Sequence, residues 1–208
     1  MAIAAICTVW ENEYTDALLC QKNLLPQERL HYFDRSQKEK QGQIIAAYGL
    51  LRYGLRHLYA MHEIPELAYD FYGKPFFKNN MDLHFNLSHT NGAALCAVGD
   101  VMVGADIEQI RTVKKTRAAR LQLPEAPDAF FAQWTARECI VKCRGGSAIG
   151  CREPVSLMQG ECCEIFSVKD QYAAGICTAS ASRVLFEMLP IKKLLDFLEC
   201  ENMKVNSI

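Results

Sequence analysis

Two carboxylates, Asp106 and Glu108, stand two residues apart directly after an apolar run, Val101–Ala105. Residues two apart on a β-strand point to the same side of the sheet, so both carboxylates would share one face. Two like charges at that distance repel each other unless a cation lies between them, and Mg²⁺ prefers oxygen ligands. The pattern is typical of a magnesium site, although an ordinary strand end with exposed acids has the same spacing.

A second set of side chains recurs every four residues, at Trp134, Glu138 and Lys142. This spacing places the three side chains on one face of a helix. The tryptophan, with Phe130 one turn earlier, predicts that this face is partly buried and that Glu138 and Lys142 lose part of their hydration. A carboxylate in that situation can have a raised pKa and act as a base. The alternative is a surface ion pair worth on the order of a few tenths of a kcal/mol.

Two polar segments could bind an anionic ligand. Asn86–His89 offers a hydroxyl, an imidazole and backbone N–H groups, which suit a phosphate. A serine nucleophile is not indicated, because no Gly-x-Ser-x-Gly elbow surrounds this serine, and a polar turn capped by Asn86 is the alternative. Gly73–Pro75 combines a glycine that permits close approach, a lysine that adds positive charge and a proline that stiffens the turn.

The elements that must position these residues predict an α+β fold. Strands are predicted over residues 3–10, 71–75, 84–89, 93–98, 101–107, 164–168, 172–179 and 184–189. Helices are predicted after Pro26, over 128–144 and over 191–201, and the Gly- and Ser-rich stretch 145–150 ends the second of them. The apolar face of the first helix is predicted to comprise Ile44, Tyr48, Leu51, Leu55 and Leu58.

The order of these elements repeats once along the chain. A strand, a helix and further strands are followed by a strand, a helix and further strands. The apolar segments 93–98 and 173–178 occupy corresponding places in the two series. The pattern predicts two similar α/β halves, residues 1–103 and 104–208.

Composition argues against several classes of protein. Half of the 208 residues are apolar, which is typical of a globular chain rather than a disordered one. Lys and Arg (23) nearly balance Asp and Glu (24), which argues against a general nucleic-acid binder. No apolar run is long enough to span a membrane. The ten cysteines form no Cys-x-x-Cys pair and follow no secretory signal, so we expect reduced thiols, a cytoplasmic location and no structural zinc site.

The motifs gain specificity from their order along the chain. Gly-Lys-Pro, Phe-Asn-Leu-Ser-His, Gly-Ala-Asp-Ile-Glu and Trp-x-x-Arg-Glu-x-x-x-Lys follow one another between residues 26 and 150. This series resembles the motif set of the 4'-phosphopantetheinyl transferase superfamily. Because Asp106 lies in the middle of the chain, the chain looks like the longer, surfactin-synthetase-activating type. That resemblance implies a monomer whose two similar halves are related by a pseudo-two-fold axis, with the active site between them.

The resemblance also implies the reaction and the roles of individual residues. Members of this superfamily move the 4'-phosphopantetheine arm of coenzyme A, their substrate, onto a serine of an apo acyl- or peptidyl-carrier protein and release 3',5'-adenosine bisphosphate. By similarity, Mg²⁺ would be held by Asp106, Glu108 and Glu138. Catalysis would depend on Glu138 as the base and on Lys142, which offsets negative charge on the pyrophosphate. The coenzyme A site would comprise Lys74, Pro75, Ser88, His89 and Lys142.

Three positions depart from the family pattern. Arg137 replaces a lysine, 145–147 reads Gly-Gly-Ser where Gly-Lys-Gly is usual, and Gln43 stands where an arginine is common. These changes bear on the affinity for coenzyme A more than on the type of reaction. The residues that could compensate for a thinner basic cluster are Arg35, Lys38 and Lys40.

Two other functions stay open on the sequence alone. A degenerate family member could bind carrier proteins without catalysis, and a metal-dependent phosphohydrolase could use the same three acids. Neither a nucleic acid nor a membrane is expected as a partner. A basic stripe after the acidic pair could dock an acidic carrier protein or form a solvated helix face, and its members are Arg111, Lys114, Lys115, Arg117 and Arg120.

Overall fold

The structure is a computed structural model that describes residues 2–79, 82–146 and 154–205. Its strands are β1 (Ala2–Val9), β2 (Leu67–Tyr69), β3 (Pro75–Phe77), β4 (His84–Thr90), β5 (Ala93–Gly99), β6 (Val103–Gln109), β7 (Cys162–Val168), β8 (Tyr172–Thr178) and β9 (Arg183–Met188). Its helices are α1 (Thr15–Leu19), α2 (Gln27–Asp34), α3 (Lys38–Tyr59), α4 (Lys115–Leu121), α5 (Pro127–Cys143) and α6 (Ile191–Val205). The predicted α+β class is therefore confirmed.

Two larger sheets carry the fold. The first has the strand order β4-β5-β1-β9 and the second has the order β6-β8-β7, while β2 and β3 form a separate hairpin. The central strands β5 and β8 are buried along their whole length, as their uninterrupted apolar sequences predict. Because β4-β5-β1 and β7-β8-β6 have the same order, the topology supports the predicted internal repeat. The two-fold relation between the halves stays a prediction.

The two sheets pack face to face, with one long helix on each outer side. Alternation along β1 sends Ile3, Ala5 and Cys7 into the core between the sheets, whereas Ile6 packs on the opposite side with α3. On the outer side of the second sheet, α5 contacts β8 through Cys139 and Cys177. The resulting order of layers is α3, first sheet, second sheet, α5.

The last elements of the chain return to the first sheet. β9 pairs in parallel with β1, from Ala2 opposite Arg183 to Cys7 opposite Met188. Leu194 and Leu198 of α6 then pack against Gly49 of α3. The division into residues 1–103 and 104–208 stays a prediction, and in space β9 and α6 lie with the first part. Residues 1, 80–81, 147–153 and 206–208 of those ranges lie outside the described residues.

The helical prediction after Pro26 needs two corrections. The stretch is divided into α2 and α3 rather than being one helix. Of the predicted apolar face, Leu58 is 54% exposed, because α3 continues for one turn beyond Leu55, its last buried position. The other four members of that face are buried as predicted. No helix in the described part of the chain is long and apolar enough to cross a membrane.

The strand predicted over residues 71–75 is wrong. The strands β2 and β3 lie on either side of a turn, and Phe71 at the turn is 96% exposed. Oδ1 of Asp70 accepts hydrogen bonds from the backbone N–H groups of Tyr72 (2.9 Å) and Lys74 (2.8 Å). An aspartate that binds the following backbone favours a turn over a strand, whatever the aromatic content.

Candidate active site

A cavity of about 550 Å³ lies between β4, β6, α3, α5 and the β2–β3 turn. Its wall brings together all eight residues for which the sequence predicts a site role. These are Lys74, Pro75, Ser88, His89, Asp106, Glu108, Glu138 and Lys142. The residues come from four separate parts of the chain, so only the tertiary fold makes them neighbours.

The floor of the cavity is a seam between the edge strands of the two sheets. Oδ1 of Asn86 on β4 accepts a hydrogen bond from the backbone N–H of Ala105 on β6 (2.7 Å). Oγ of Ser88 accepts one from the N–H of Ile107 (3.2 Å). Side chains of one strand thus satisfy backbone donors of the other, which a buried strand edge requires. The alternative of a polar turn capped by Asn86 is excluded, because β4 continues through Ser88 and His89 to Thr90.

Asp106 is the most deeply buried acid in the cavity wall, with 4% exposure. Its Oδ1 accepts hydrogen bonds from Nζ of Lys142 (2.6 Å) and from Oγ of Ser88 (2.9 Å). Its Oδ2 is buried without a hydrogen-bond partner. A buried carboxylate oxygen in this state is energetically costly, and a hard cation would satisfy it.

Glu108 and Glu138 add two more acids close to Asp106. Burial, reinforced by Asp106, raises the pKa of Glu108, whose Oε1 accepts a hydrogen bond from Nε1 of Trp134 (3.3 Å). Burial likewise raises the pKa of Glu138 to about 7, against the opposing effect of Lys142. The main cause of both shifts is the same: burial disfavours the charged form of a carboxylate, and the neighbouring acids add to the effect.

The three acids fit a hard cation by their chemistry, because carboxylate oxygens are the ligands that Mg²⁺ prefers. Within the described ranges, however, no three His, Cys, Asp or Glu side chains already stand in a metal-binding arrangement. The ammonium of Lys142, in contact with Asp106, supplies the compensating positive charge. These acids would have to turn toward a shared ion to hold it.

Positive charge collects at the other end of the cavity, around His89. The wall there includes Arg29 and Lys40. Burial first, and then Lys40 and Arg29, lower the pKa of His89 to about 4, so its imidazole is neutral at pH 7. Nδ1 of His89 lies 3.0 Å from Oε1 of Gln43 and donates to it, since a primary amide oxygen can only accept. A bound phosphate would offset the neighbouring cations and favour the imidazolium.

The buried neutral His89 predicts that acid destabilises the fold. Its pKa is about 4 in the folded chain and 6.5 ordinarily, so between these values only the unfolded chain takes up the proton. We expect the free energy of unfolding to fall by about 2 kcal/mol from pH 7 to pH 5 through this residue. Urea unfolding of wild type and His89→Gln at both pH values measures it. If the free energy of unfolding fell equally in His89→Gln, groups other than His89 would be responsible for the loss of stability.

The basic cluster differs from the predicted one. Of the three proposed compensating residues, Lys40 is in the cavity wall, whereas Lys38 forms an ion pair with Asp16 (2.6 Å) and Arg35 lies outside the wall. Arg29 in the cavity wall was not predicted, and its guanidinium lies 4.2 Å from the ring centroid of Tyr32. No motif surrounds Arg29, and only the angle between α2 and α3 brings it to the cavity.

Lys74 lines the cavity but uses its ammonium for structure. Nζ donates hydrogen bonds to the carbonyl oxygens of Lys142 (2.6 Å) and Val103 (3.3 Å), and burial lowers the pKa of Lys74. The last carbonyl groups of a helix lack partners within the helix, and a cation there also compensates the helix dipole. Lys74 therefore fastens the end of α5 to β6.

The structure also shows where two of the positions that depart from the family pattern lie. Arg137 is buried away from the cavity, and its Nη2 donates a hydrogen bond to the carbonyl oxygen of Leu121 (3.1 Å), which joins α5 to the end of α4. The arginine for lysine exchange therefore does not change the cavity wall. Gly146 lines the cavity, whereas Ser147 and the rest of the predicted breaker 145–150 beyond it lie outside the described residues.

The cavity has the features of a site for chemistry at a phosphate group. Cations at one end suit the phosphates of a ligand, and buried carboxylates at the other end suit a divalent cation, which together are the requirements for chemistry at phosphorus. The geometry itself does not distinguish transfer to a protein from transfer to water.

Comparison with known proteins narrows the class. The chain is 38% identical over 105 residues to the 4'-phosphopantetheinyl transferase AcpT of Salmonella typhi, covering 43% of this chain and 54% of the relative. It is 31% identical over 90 residues to the 4'-phosphopantetheinyl transferase gsp of Aneurinibacillus migulanus, covering 36% of this chain and 35% of the relative. It is 29% identical over 86 residues to the 4'-phosphopantetheinyl transferase Sfp of Bacillus subtilis, covering 36% and 38%.

These relatives all carry the name 4'-phosphopantetheinyl transferase, so the predicted family resemblance is confirmed. The chain spans about half the length of AcpT, the relative with the highest of these three identities. No family model matches the chain.

Proposed function

We propose that this chain transfers 4'-phosphopantetheine from coenzyme A to a serine of an apo acyl- or peptidyl-carrier protein, with Mg²⁺ as cofactor. One observation carries the proposal: Asp106, whose Oδ2 is buried and unpaired, lines the same cavity as His89 and the cations Arg29 and Lys40. The names of the relatives supply the substrate class. The proposal includes a cytoplasmic monomer built from two halves in a pseudo-two-fold arrangement.

The reaction exchanges one bond at phosphorus. The hydroxyl oxygen of the carrier serine bonds to the phosphorus atom next to pantetheine, and the bond from that phosphorus to the bridging pyrophosphate oxygen breaks. The leaving group is 3',5'-adenosine bisphosphate, which departs with the bridging oxygen. Mg²⁺, held by Asp106, Glu108 and Glu138, would neutralise negative charge on the pyrophosphate and orient it for attack.

Glu138 and Lys142 have complementary tasks in this proposal. Glu138 takes the proton of the serine hydroxyl. Its pKa is about 7 in the metal-free chain, and a bound Mg²⁺ would lower it, so Glu138 serves as the base through the oxygen that does not bind the ion. Burial lowers the pKa of Lys142, but Asp106 and then the two glutamates outweigh burial and leave it above its ordinary value. Lys142 therefore keeps its charge and can shift from Asp106 to the pyrophosphate.

The cationic end holds the nucleotide phosphates. Arg29 and Lys40 lie beside His89 in the cavity wall, so a phosphate placed there meets three groups that can donate charged hydrogen bonds. We assign the 3'-phosphate to His89. Ser88, Lys74 and Pro75 border the ligand, with Ser88 also holding Asp106 in place.

Intact-protein mass spectrometry tests the proposal. The purified chain is incubated with an apo acyl-carrier protein, coenzyme A and Mg²⁺, and the carrier should become heavier by one phosphopantetheine arm. EDTA should prevent the change, and excess Mg²⁺ should restore it. Cleavage of coenzyme A without carrier would instead identify a phosphohydrolase. Binding of several apo carriers without any mass change would identify a degenerate binder.

The basic stripe divides into two parts. Arg111 lies over the ring of Phe131 and Arg117 over Phe130, so both take part in packing. Lys114, Lys115 and Arg120 are exposed and contact no aromatic ring of the described residues, although Lys115 lies 3.7 Å from Glu125. Exposed cations favour the approach of an acidic carrier.

Charge reversal at the exposed part should weaken carrier docking. For the double variant Lys114→Glu and Lys115→Glu, we expect KM for the carrier to rise about tenfold at low salt, with kcat unchanged. The matched control reverses Lys192 and Lys193 on α6, outside the cavity wall, and should leave KM unchanged. An unchanged KM in both variants would identify the stripe as a solvated helix face.

A further inference from the structure

Four thiols gather on the outer side of the second sheet, where α5 covers it. Cys139 and Cys143 lie one turn apart on α5, and Cys163 and Cys177 lie opposite each other on β7 and β8. Each cysteine within the described ranges is a free thiol. The proposed transfer reaction uses none of these four.

Cys139 and Cys163 are already in contact. Their Sγ atoms are 3.5 Å apart, and a disulfide would require an approach of about 1.5 Å, to ~2.05 Å. Gly175 lies beneath the contact, where a Cβ would stand 3.2 Å from Sγ of Cys139. The missing side chain at Gly175 lets this sulfur lie directly against the sheet, beside Thr135 and Ile165.

The two thiols differ in access. Cys139 is fully buried, whereas Cys163 is partly exposed. An oxidant from solution therefore reaches the sulfur of Cys163 first, and the sulfur of Cys139 is the nearest thiol to it.

We propose that Cys163 and Cys139 form an oxidisable dithiol, in which the sulfur of Cys163 first attacks a hydroperoxide and Cys139 then closes a disulfide. In the first step the Cys163 sulfur takes one oxygen from the hydroperoxide and becomes a sulfenic acid, while the hydroperoxide is reduced to water or an alcohol. In the second step the sulfur of Cys139 bonds to that of Cys163, and water leaves with the sulfenic oxygen. A small-molecule thiol reduces this disulfide back to the two cysteine thiols and is itself oxidised.

The position of this dithiol links it to the candidate active site. Cys139 directly follows Glu138 on α5, so the disulfide would join the helix that carries Glu138 and Lys142 to β7. This sulfur chemistry goes beyond the proposed transfer and does not depend on it, because Cys139 faces the sheet whereas Glu138 lines the cavity.

Peptide mapping after mild oxidation tests the proposal. The full chain is treated with hydrogen peroxide, the remaining thiols are alkylated in denaturant, and the digest is analysed by mass spectrometry. We expect a linked pair of peptides containing Cys139 and Cys163, lighter by two hydrogens than the separate peptides together and split by dithiothreitol. Preferential linkage of Cys143 to Cys177, or oxidation confined to the exposed Cys20 and Cys200, would overturn the proposal.

Two variants separate the steps. Cys139→Ser should prevent the link and leave Cys163 as a sulfenic acid that dimedone captures, whereas Cys163→Ser should show neither product. Cys200→Ser, at an exposed position, is the matched control and should form the link like wild type. Dimedone capture at Cys139 rather than Cys163 would contradict the assigned order of attack. Peptide mapping of the wild-type protein tests the proposal even where a serine variant folds poorly. If no link between Cys139 and Cys163 formed, the dithiol proposal would fail and the proposed transfer reaction would be unaffected.

Discussion

The Asp106→Asn variant should show no detectable modification of a carrier protein, a loss of at least about 1,000-fold in rate. The substitution removes the negative charge that Lys142 and a bound cation both need, and it places an amide NH₂ group among donors. The shape of the side chain is nearly unchanged, so the amide oxygen of the variant can still accept the hydrogen bond of Ser88. The ratio of the transfer rates of wild type and variant, measured by intact-protein mass spectrometry at saturating Mg²⁺ and coenzyme A, tests this expectation.

A matched control separates the loss of charge at the site from a general loss of an acid. Asp100 is an exposed aspartate next to β5, and Asp100→Asn should retain the wild-type rate. Thermal unfolding of both variants checks that the fold is intact. A folded Asp106→Asn protein with more than a tenth of the wild-type rate would remove Asp106 from the catalytic centre.

Replacing Gly104 by alanine should have the largest effect on stability. A Cβ at this position would overlap the carbonyl oxygen of Cys139 and the amide nitrogen of Cys143, both in the backbone of α5. No side-chain rotation relieves the overlap, because Cβ is fixed by the backbone of β6. The helix would have to move away from the strand, and we expect a loss of more than about 4 kcal/mol in the free energy of unfolding.

Urea unfolding of Gly104→Ala measures this loss, with soluble yield as a second readout. The matched control is Gly160→Ala, where a Cβ would meet only the carbonyl oxygen of Ala179 at 3.8 Å. Gly160 has a φ of 89°, so its substitution carries backbone strain without a steric overlap and should cost about 1 to 3 kcal/mol. If Gly104→Ala lost no more stability than this control, the close approach of α5 to β6 would not be essential.

The predictions that local periodicity supports were the most successful. The two-residue spacing of Asp106 and Glu108 on β6 and the four-residue spacing of Glu138 and Lys142 on α5 place these side chains in one cavity wall. Strand and helix geometry set which side chains share a face, and this depends only on neighbours along the chain. The order of the motifs then carried the family resemblance, which the names of the relatives confirm.

Features that depend on contacts between distant segments were not predicted. The ammonium of Lys74, besides lining the cavity, binds carbonyl groups 29 and 68 residues away in the chain. The seam formed by Asn86 and Ser88 was not predicted, since nothing nearby in the sequence reveals the facing strand. Arg29 lies in none of the motifs.

The sequence by itself therefore determined the chemistry: which acids, cations and thiols the protein has, and which of them share a strand or helix face. The tertiary structure decided how that chemistry is placed. It set the β4–β6 seam, brought Arg29 to the cavity and returned β9 to the first sheet. The physical reason is that backbone periodicity is local, whereas burial and hydrogen bonding of strand edges are satisfied by whichever segments the packing of the whole chain brings together.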